Sequence, residues 1–148
     1  MNLTQELSQI DSIFIDTAPI IYYIEAHPQF GALAKKVVDL CQSGRLKAFS
    51  SVITIAEVLP KPIQKGEDEL AQKFIEFIKF GQQINLIDIS VDIAEQSGRL
   101  RGQYPSLRAL DALQISAALN IGADAFLTND KKLKQVKEIK NIILKDYC

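Results

Sequence analysis

One stretch constrains the fold more than any other: Leu107 to Asp130, LRALDALQISAALNIGADAFLTND. From Ala109 to Ile121 nearly every side chain is apolar or small. A helix apolar nearly all round is a buried one, so little of this segment can face water. Gly122 then supplies a C-cap, and Ala125-Phe126-Leu127 is a short apolar run that suits an interior parallel strand. Two acids interrupt this unit: Asp111 opens the helix and Asp130 lies just past the strand. A buried carboxylate without a partner is costly enough that it neutralises or finds a cation. In open α/β sheets the ligand crevice lies beyond the carboxyl ends of the strands, which gives one place where both acids can meet.

The rest of the chain repeats the same alternation. After a short lead-in helix within residues 1–11, Ser12 to Ile15 reads as a buried strand ending at Asp16-Thr17. Pro19 suits a helix N1 position, and the helix continues from Ile20 to Glu25 until His27-Pro28 breaks it. Leu33, Val37, Val38 and Leu40 form one helical stripe that stops at Gly44, and Leu46 to Ser50 is a second strand. Ser51 can cap a helix from Ile53 to Leu59, which carries Glu57 and is ended by Pro60 and Pro62. Glu67 to Gln82 reads as a long helix, Leu86 to Ile89 as a third strand, and Ser90 or Asp92 as the cap of a helix running to about Gln103. Ile142-Ile143-Leu144 is the last strand. Strands alternating with helices imply βαβ units, hence an α/β fold with a mostly parallel sheet and helices on both faces. At 148 residues, with no repeat or linker, the chain reads as a single domain spanning 1–148.

A net charge of −1 gives no overall basic excess, so a nucleic-acid partner must be held by a local patch. Cys41 and Cys148 make no disulfide framework and point to a reducing compartment. The apolar run from Ile13 to Ile24 is broken by Asp16 and Pro19 and is too short to span a bilayer, and Glu6 and Asp11 argue against a signal peptide. The expectation is a cytoplasmic protein with no membrane contact.

Four acids share one peculiarity: Asp16, Glu57, Asp111 and Asp130 are each embedded in apolar sequence at a strand end, a helix interior or a helix start. Carboxylates gathered from separate elements repel one another unless a cation sits among them, and oxygen-only ligands favour Mg²⁺ or Mn²⁺. No His or Cys lies near them in sequence, which disfavours zinc. Such a site suits phosphodiester hydrolysis by a metal-activated water. The plainer reading makes Asp16 and Asp130 caps or turn residues and Asp111 a favourable charge at a helix start. Glu57 resists it, because the run Thr54-Ile55-Ala56-Glu57-Val58-Leu59 offers no counter-charge. Arg108, Lys131 and Lys132 flank these acids and could hold phosphates, against the ordinary alternative of solvated side chains. Lys134, Lys137, Lys140 and Lys145 read as a solvated edge, and His27 as a surface residue in a Pro-flanked turn. Neither a Gly-rich phosphate loop nor the second acid two residues on that an aspartyl-phosphate phosphatase requires is present; Ala18 occupies that place.

The residues resemble the PIN-domain ribonucleases, especially the VapC-type toxins of bacterial and archaeal toxin–antitoxin pairs. Four segments carry the resemblance in family order: FIDTAPIIYYIE at Phe14 to Glu25, SVITIAEVL at Ser51 to Leu59, LDALQISAAL at Leu110 to Leu119 and FLTND at Phe126 to Asp130. The resemblance implies an α/β/α sandwich, metal-dependent endonucleolysis of RNA, and an acidic quartet of Asp16, Glu57, Asp111 and Asp130, with Asn129 able to stand in for Asp130. It also implies that Thr17, Ser51, Thr54 and Thr128 support the acids or touch phosphate. Partners implied are RNA and a cognate antitoxin, whose segment would lie in a hydrophobic groove. Ile75 and Phe80 widen the apolar arc of the Glu67–Gln82 helix beyond one core face, so Ile75 or Phe80, with part of the Ile53–Leu59 helix, is expected to line that groove or a homodimer contact, against the alternative that neighbouring loops cover them. The rival readings are a PIN-like module that binds RNA or protein without cutting, and an RNA-processing nuclease outside any toxin pair.

Overall fold

The computed structural model describes residues 1–81 and 84–148. A short helix α1 (Leu3–Leu7), capped by Asn2, leads into β1 (Ser12–Ile15). Then follow α2 (Thr17–Ile24), α3 (Gly31–Gln42), β2 (Lys47–Ser51), α4 (Val52–Val58) and α5 (Pro60–Gln64). Next come α6 (Asp68–Ile75), β3 (Ile84–Ile87), α7 (Val91–Gln103), α8 (Ala109–Ile121), β4 (Ala125–Thr128) and β5 (Lys140–Ile143). The five strands form one parallel sheet in the order β3-β2-β1-β4-β5.

Strand side chains alternate between two cores, as the pleat requires. Ile13, Ile15, Ala125 and Leu127 face a core shared with Val37, Val58, Phe74 and Ile78. Phe14, Phe49 and Phe126 face the other, with Ile93, Leu100, Ala112, Ile115 and Ala118 of α7 and α8. Phe14 and Phe126 sit opposite each other in register and stack at 5.6 Å, so one aromatic layer ties the two central strands to α8. The sheet is thus covered on both faces, the PIN-like three-layer arrangement expected.

Several local expectations need correction. Asp16 caps α2 itself, so Pro19 falls in the third helical position rather than the first. Pro60 does not end helical structure; it takes the N1 position of α5, where its missing N–H costs nothing. The Glu67 helix starts at Asp68, and from Glu76 to Phe80 the chain winds as a π-helix; the expected end at Gln82 lies outside the described residues. The third strand lies two residues earlier than Leu86–Ile89, because Ile84 is the buried position, and Leu144 leaves the last strand for a 3₁₀ turn. The α8 helix is buried only from Asp111 to Ala118, with Leu113 partly so; Leu110 and Ile121 at its ends are 43% and 39% exposed.

Candidate active site

The strand order decides where a site can form. The chain builds outward from β1 through β2 to β3, then returns to the other side of β1 with β4. Connections leave β1 and β4 in opposite directions, which opens a crevice beyond their carboxyl ends. Asp16 follows β1 immediately, and Asn129 and Asp130 follow β4. The first turn of α8 and the last turn of α4, with Asp111 and Glu57, flank the same edge. The outcome is a cavity of about 400 Å³ lined by Asp16, Glu57, Asp111 and Asp130, with Thr17, Tyr22, Arg108, Thr128, Asn129 and Lys145 among its other walls.

Asp16 is 9% exposed. Its Oδ1 accepts the Thr17 backbone N–H at 2.8 Å and its Oδ2 the Thr128 hydroxyl at 2.8 Å. Burial pushes its pKa up to about 6; those two hydrogen bonds pull the other way, and the charges of Asp111 and Glu57 add to the rise. Asp111 is held by Arg108 in a forked contact, Nε to Oδ2 at 2.9 Å and Nη2 to Oδ1 at 3.3 Å. Asp111 in turn stabilises the Arg108 charge. Asp130 caps the 3₁₀ turn at Lys131–Gln135 by accepting the Lys132 N–H at 3.0 Å. Both readings of these acids therefore hold together: Asp16 and Asp130 are caps, Asp111 is a first-turn acid, and all three line the cavity.

Glu57 has no cationic partner among the described residues; it accepts the Thr17 hydroxyl at 2.6 Å. Behind Thr17 lies a buried chain of hydroxyls whose proton directions can be worked out from donor supply. Ser50 Oγ donates to the Ile15 carbonyl at 2.9 Å, so in the 3.0 Å contact with Thr54 the proton comes from Thr54. Thr17 spends its proton on Glu57. The hydrogens for Thr54 and Thr17 then come from the Gln114 amide, at 3.0 and 3.4 Å, while the Gln114 carbonyl accepts from Ser51. Ser51 also caps α4 by accepting the Ile53 N–H at 3.1 Å. Gln114 is 1% exposed and was missed by sequence reasoning, although it lies one turn after Asp111 on the same helix face and is a polar interruption of apolar sequence.

The basic residues divide differently from expectation. Arg108 lines the cavity, and Lys132 lines a smaller adjoining one of about 210 Å³ that shares Arg108, Asp111 and Asp130. Lys131 lines neither; it is drawn to Asp146 at 3.8 Å. Lys145, read as part of a solvated edge, lines the main cavity, because the turn after β5 folds back onto Asn129. His27 is half-buried, its Nδ1 accepting the Gln29 and Phe30 N–H groups, each at 3.1 Å.

The donor set suits a hard cation: every acid offers oxygen, and Asp16 is a buried carboxylate raised in pKa by burial and by two like charges that a cation would offset. Among the described residues no three Asp, Glu, His or Cys side chains close on a common point as a finished cage.

A family model described as PIN domain matches residues 13–139. No curated relative matches the chain. Among solved structures the chain is similar to VapBC2 from Rickettsia felis bound to promoter DNA, with 20% identity and a TM-score of 0.70 over 89% of this chain and 98% of that one. It is also similar to VapC20 of Mycobacterium tuberculosis, a sarcin-ricin loop cleaving toxin, with 16% identity and a TM-score of 0.68 over 86% and 98% of the two chains. VapBC-1 from nontypeable Haemophilus influenzae gives 20% identity and 0.66 over 90% and 98%. At these identities the likeness is one of fold.

Proposed function

Since this chain belongs to the PIN-domain family, we propose that it is a Mg²⁺- or Mn²⁺-dependent endoribonuclease, a cytoplasmic single-domain toxin neutralised by a protein antitoxin. The observation that carries the reading is the meeting of Asp16, Glu57, Asp111 and Asp130, from four separate elements, in one cavity at the carboxyl edge of the sheet. Asp16, Asp111, Glu57 and Asp130 would together hold the cation. A divalent cation held there offsets charge developing on a phosphodiester and makes bound water acidic.

The chain's own residues do the rest. Thr17 holds Glu57 through Oε1, which leaves Oε2 to accept a proton from the attacking water. Thr128 and the α2 N-terminus hold both oxygens of Asp16 in place. Arg108 lines the cavity beside Asp111 and would meet a phosphate at its rim, and Lys132 extends that basic edge. All four acids are present, which favours cleavage over a role limited to binding. The antitoxin partner is supported by the fold shared with VapBC assemblies, and a homodimer contact is proposed on the exposed Phe80. The test is incubation of purified protein with single-stranded RNA and with DNA of the same sequence. RNA cleavage with Mg²⁺ or Mn²⁺ that stops on chelation is expected; cleavage indifferent to chelator, or none in any metal, would count against the reading.

A further inference from the structure

The cavity's two cations are spent differently. Arg108 is forked onto Asp111. Lys145 is exposed, lines the same cavity and forms no ion pair among the described residues, whereas its neighbours Lys131 and Lys134 are tied to Asp146 at 3.8 and 2.6 Å. A buried amide organises the wall to which Lys145 belongs. Asn129 is 5% exposed; its Oδ1 accepts the Lys145 backbone N–H at 2.8 Å and its Nδ2 donates to the Tyr22 hydroxyl at 3.2 Å. Because Asn129 uses Tyr22 as an acceptor, the phenol's own proton is left over, and among the described residues it reaches no protein acceptor. The Tyr22 ring is fixed by His27 and Phe30, with centroids at 4.8 and 5.1 Å, so packing places the hydroxyl.

A free O–H donor and an unpaired ammonium thus line a cavity otherwise dominated by carboxylates. A ligand that suits both must be anionic and must also accept a cation from the acid side, which a phosphodiester with its two non-bridging oxygens does. We propose that Tyr22 and Lys145 form a seat for an RNA phosphate, with Asn129 as the residue that positions both. This rests on the ribonuclease reading of the same cavity.

The test uses the full chain and a fluorescently labelled single-stranded RNA in chelator, with anisotropy read across a salt series. Lys145→Ala is expected to flatten the dependence of log affinity on log salt by about 0.7, the release of one counterion from a single strand, and Lys145→Arg to restore it. Tyr22→Phe keeps the ring but leaves the Asn129 amide without its acceptor, so the melting temperature falls by a few degrees at most while affinity falls roughly tenfold with the slope unchanged. Asn129→Ala combined with Tyr22→Phe is expected to lose no more than Asn129→Ala alone, since without Asn129 the Tyr22 hydroxyl is already unplaced. Lys47→Ala, at the amino end of β2, is the control. If wild type binds and cleaves RNA while Lys145→Ala and Tyr22→Phe match it in affinity and slope, the seat is overturned and the ribonuclease survives. If wild type neither binds nor cleaves RNA, the ribonuclease reading fails and the seat with it.

Discussion

Asp16 carries the strain of the site. Its folded pKa of about 6 lies above the ordinary carboxylate range, so the folded state binds this proton more tightly than the unfolded chain does. Stability therefore falls as pH rises from about 4 to about 6, and the deficit, roughly 3 kcal/mol at most, is fully present at neutral pH. Asp16→Asn is expected to raise the melting temperature of the metal-free protein at neutral pH and to flatten that part of the profile, with the two proteins converging near pH 4. Thermal melts in chelator across this range check it; an Asp16→Asn protein less stable at neutral pH would refute it. Gln114 is the opposite case, a fully satisfied buried group. Gln114→Leu strips the donors from Thr17 and Thr54 and the acceptor from Ser51, so a loss of about 2–3 kcal/mol by urea unfolding is expected. A loss under about 0.5 kcal/mol would mean the hydroxyl chain re-forms without it. The acids were legible in sequence because charge in an apolar run is conspicuous. Tyr22 and Lys145 were not, since a tyrosine in an amphipathic helix and a lysine in a basic tail look ordinary until the fold brings them to Asn129.

At the scale of elements, the helix–turn–strand unit was the most legible part. Gly122 ends α8 at φ 74°, and a Cβ added there would meet nothing within 4 Å. Gly122→Ala is therefore expected to cost about 1 kcal/mol from backbone conformation alone, measured by chemical denaturation. Boundaries fared worse where local and tertiary preferences diverge. The Glu67 segment keeps helical periodicity in sequence, yet tertiary packing buries Phe74 and Ile78 and the last turn widens to a π-helix. This leaves Phe80 66% exposed and Ile75 half-buried. Of the two, Phe80 is the one free to meet a partner. Phe80→Lys is expected to change stability by under about 0.5 kcal/mol while weakening dimerisation or antitoxin binding, read by sedimentation and pull-down with the cognate protein. A drop of several degrees in melting temperature with association intact would make it a core residue instead.

At the scale of the molecule, the order β3-β2-β1-β4-β5 turns four acids distant in sequence into one cavity. Alternating strands and helices made the parallel sheet legible. The order of strands was not, because nothing local distinguishes a return to the left of β1 from one to the right. Among the described residues no helix is long and apolar enough to cross a membrane. The central claim is that this acidic cavity hydrolyses RNA with a divalent cation, and RNA cleavage by Asp16→Asn beside wild type in Mg²⁺, with melting curves of both in chelator, tests it most directly. A rate loss of roughly 10²–10⁴-fold with an equal or higher melting temperature is expected. Cleavage by Asp16→Asn at the wild-type rate would contradict it.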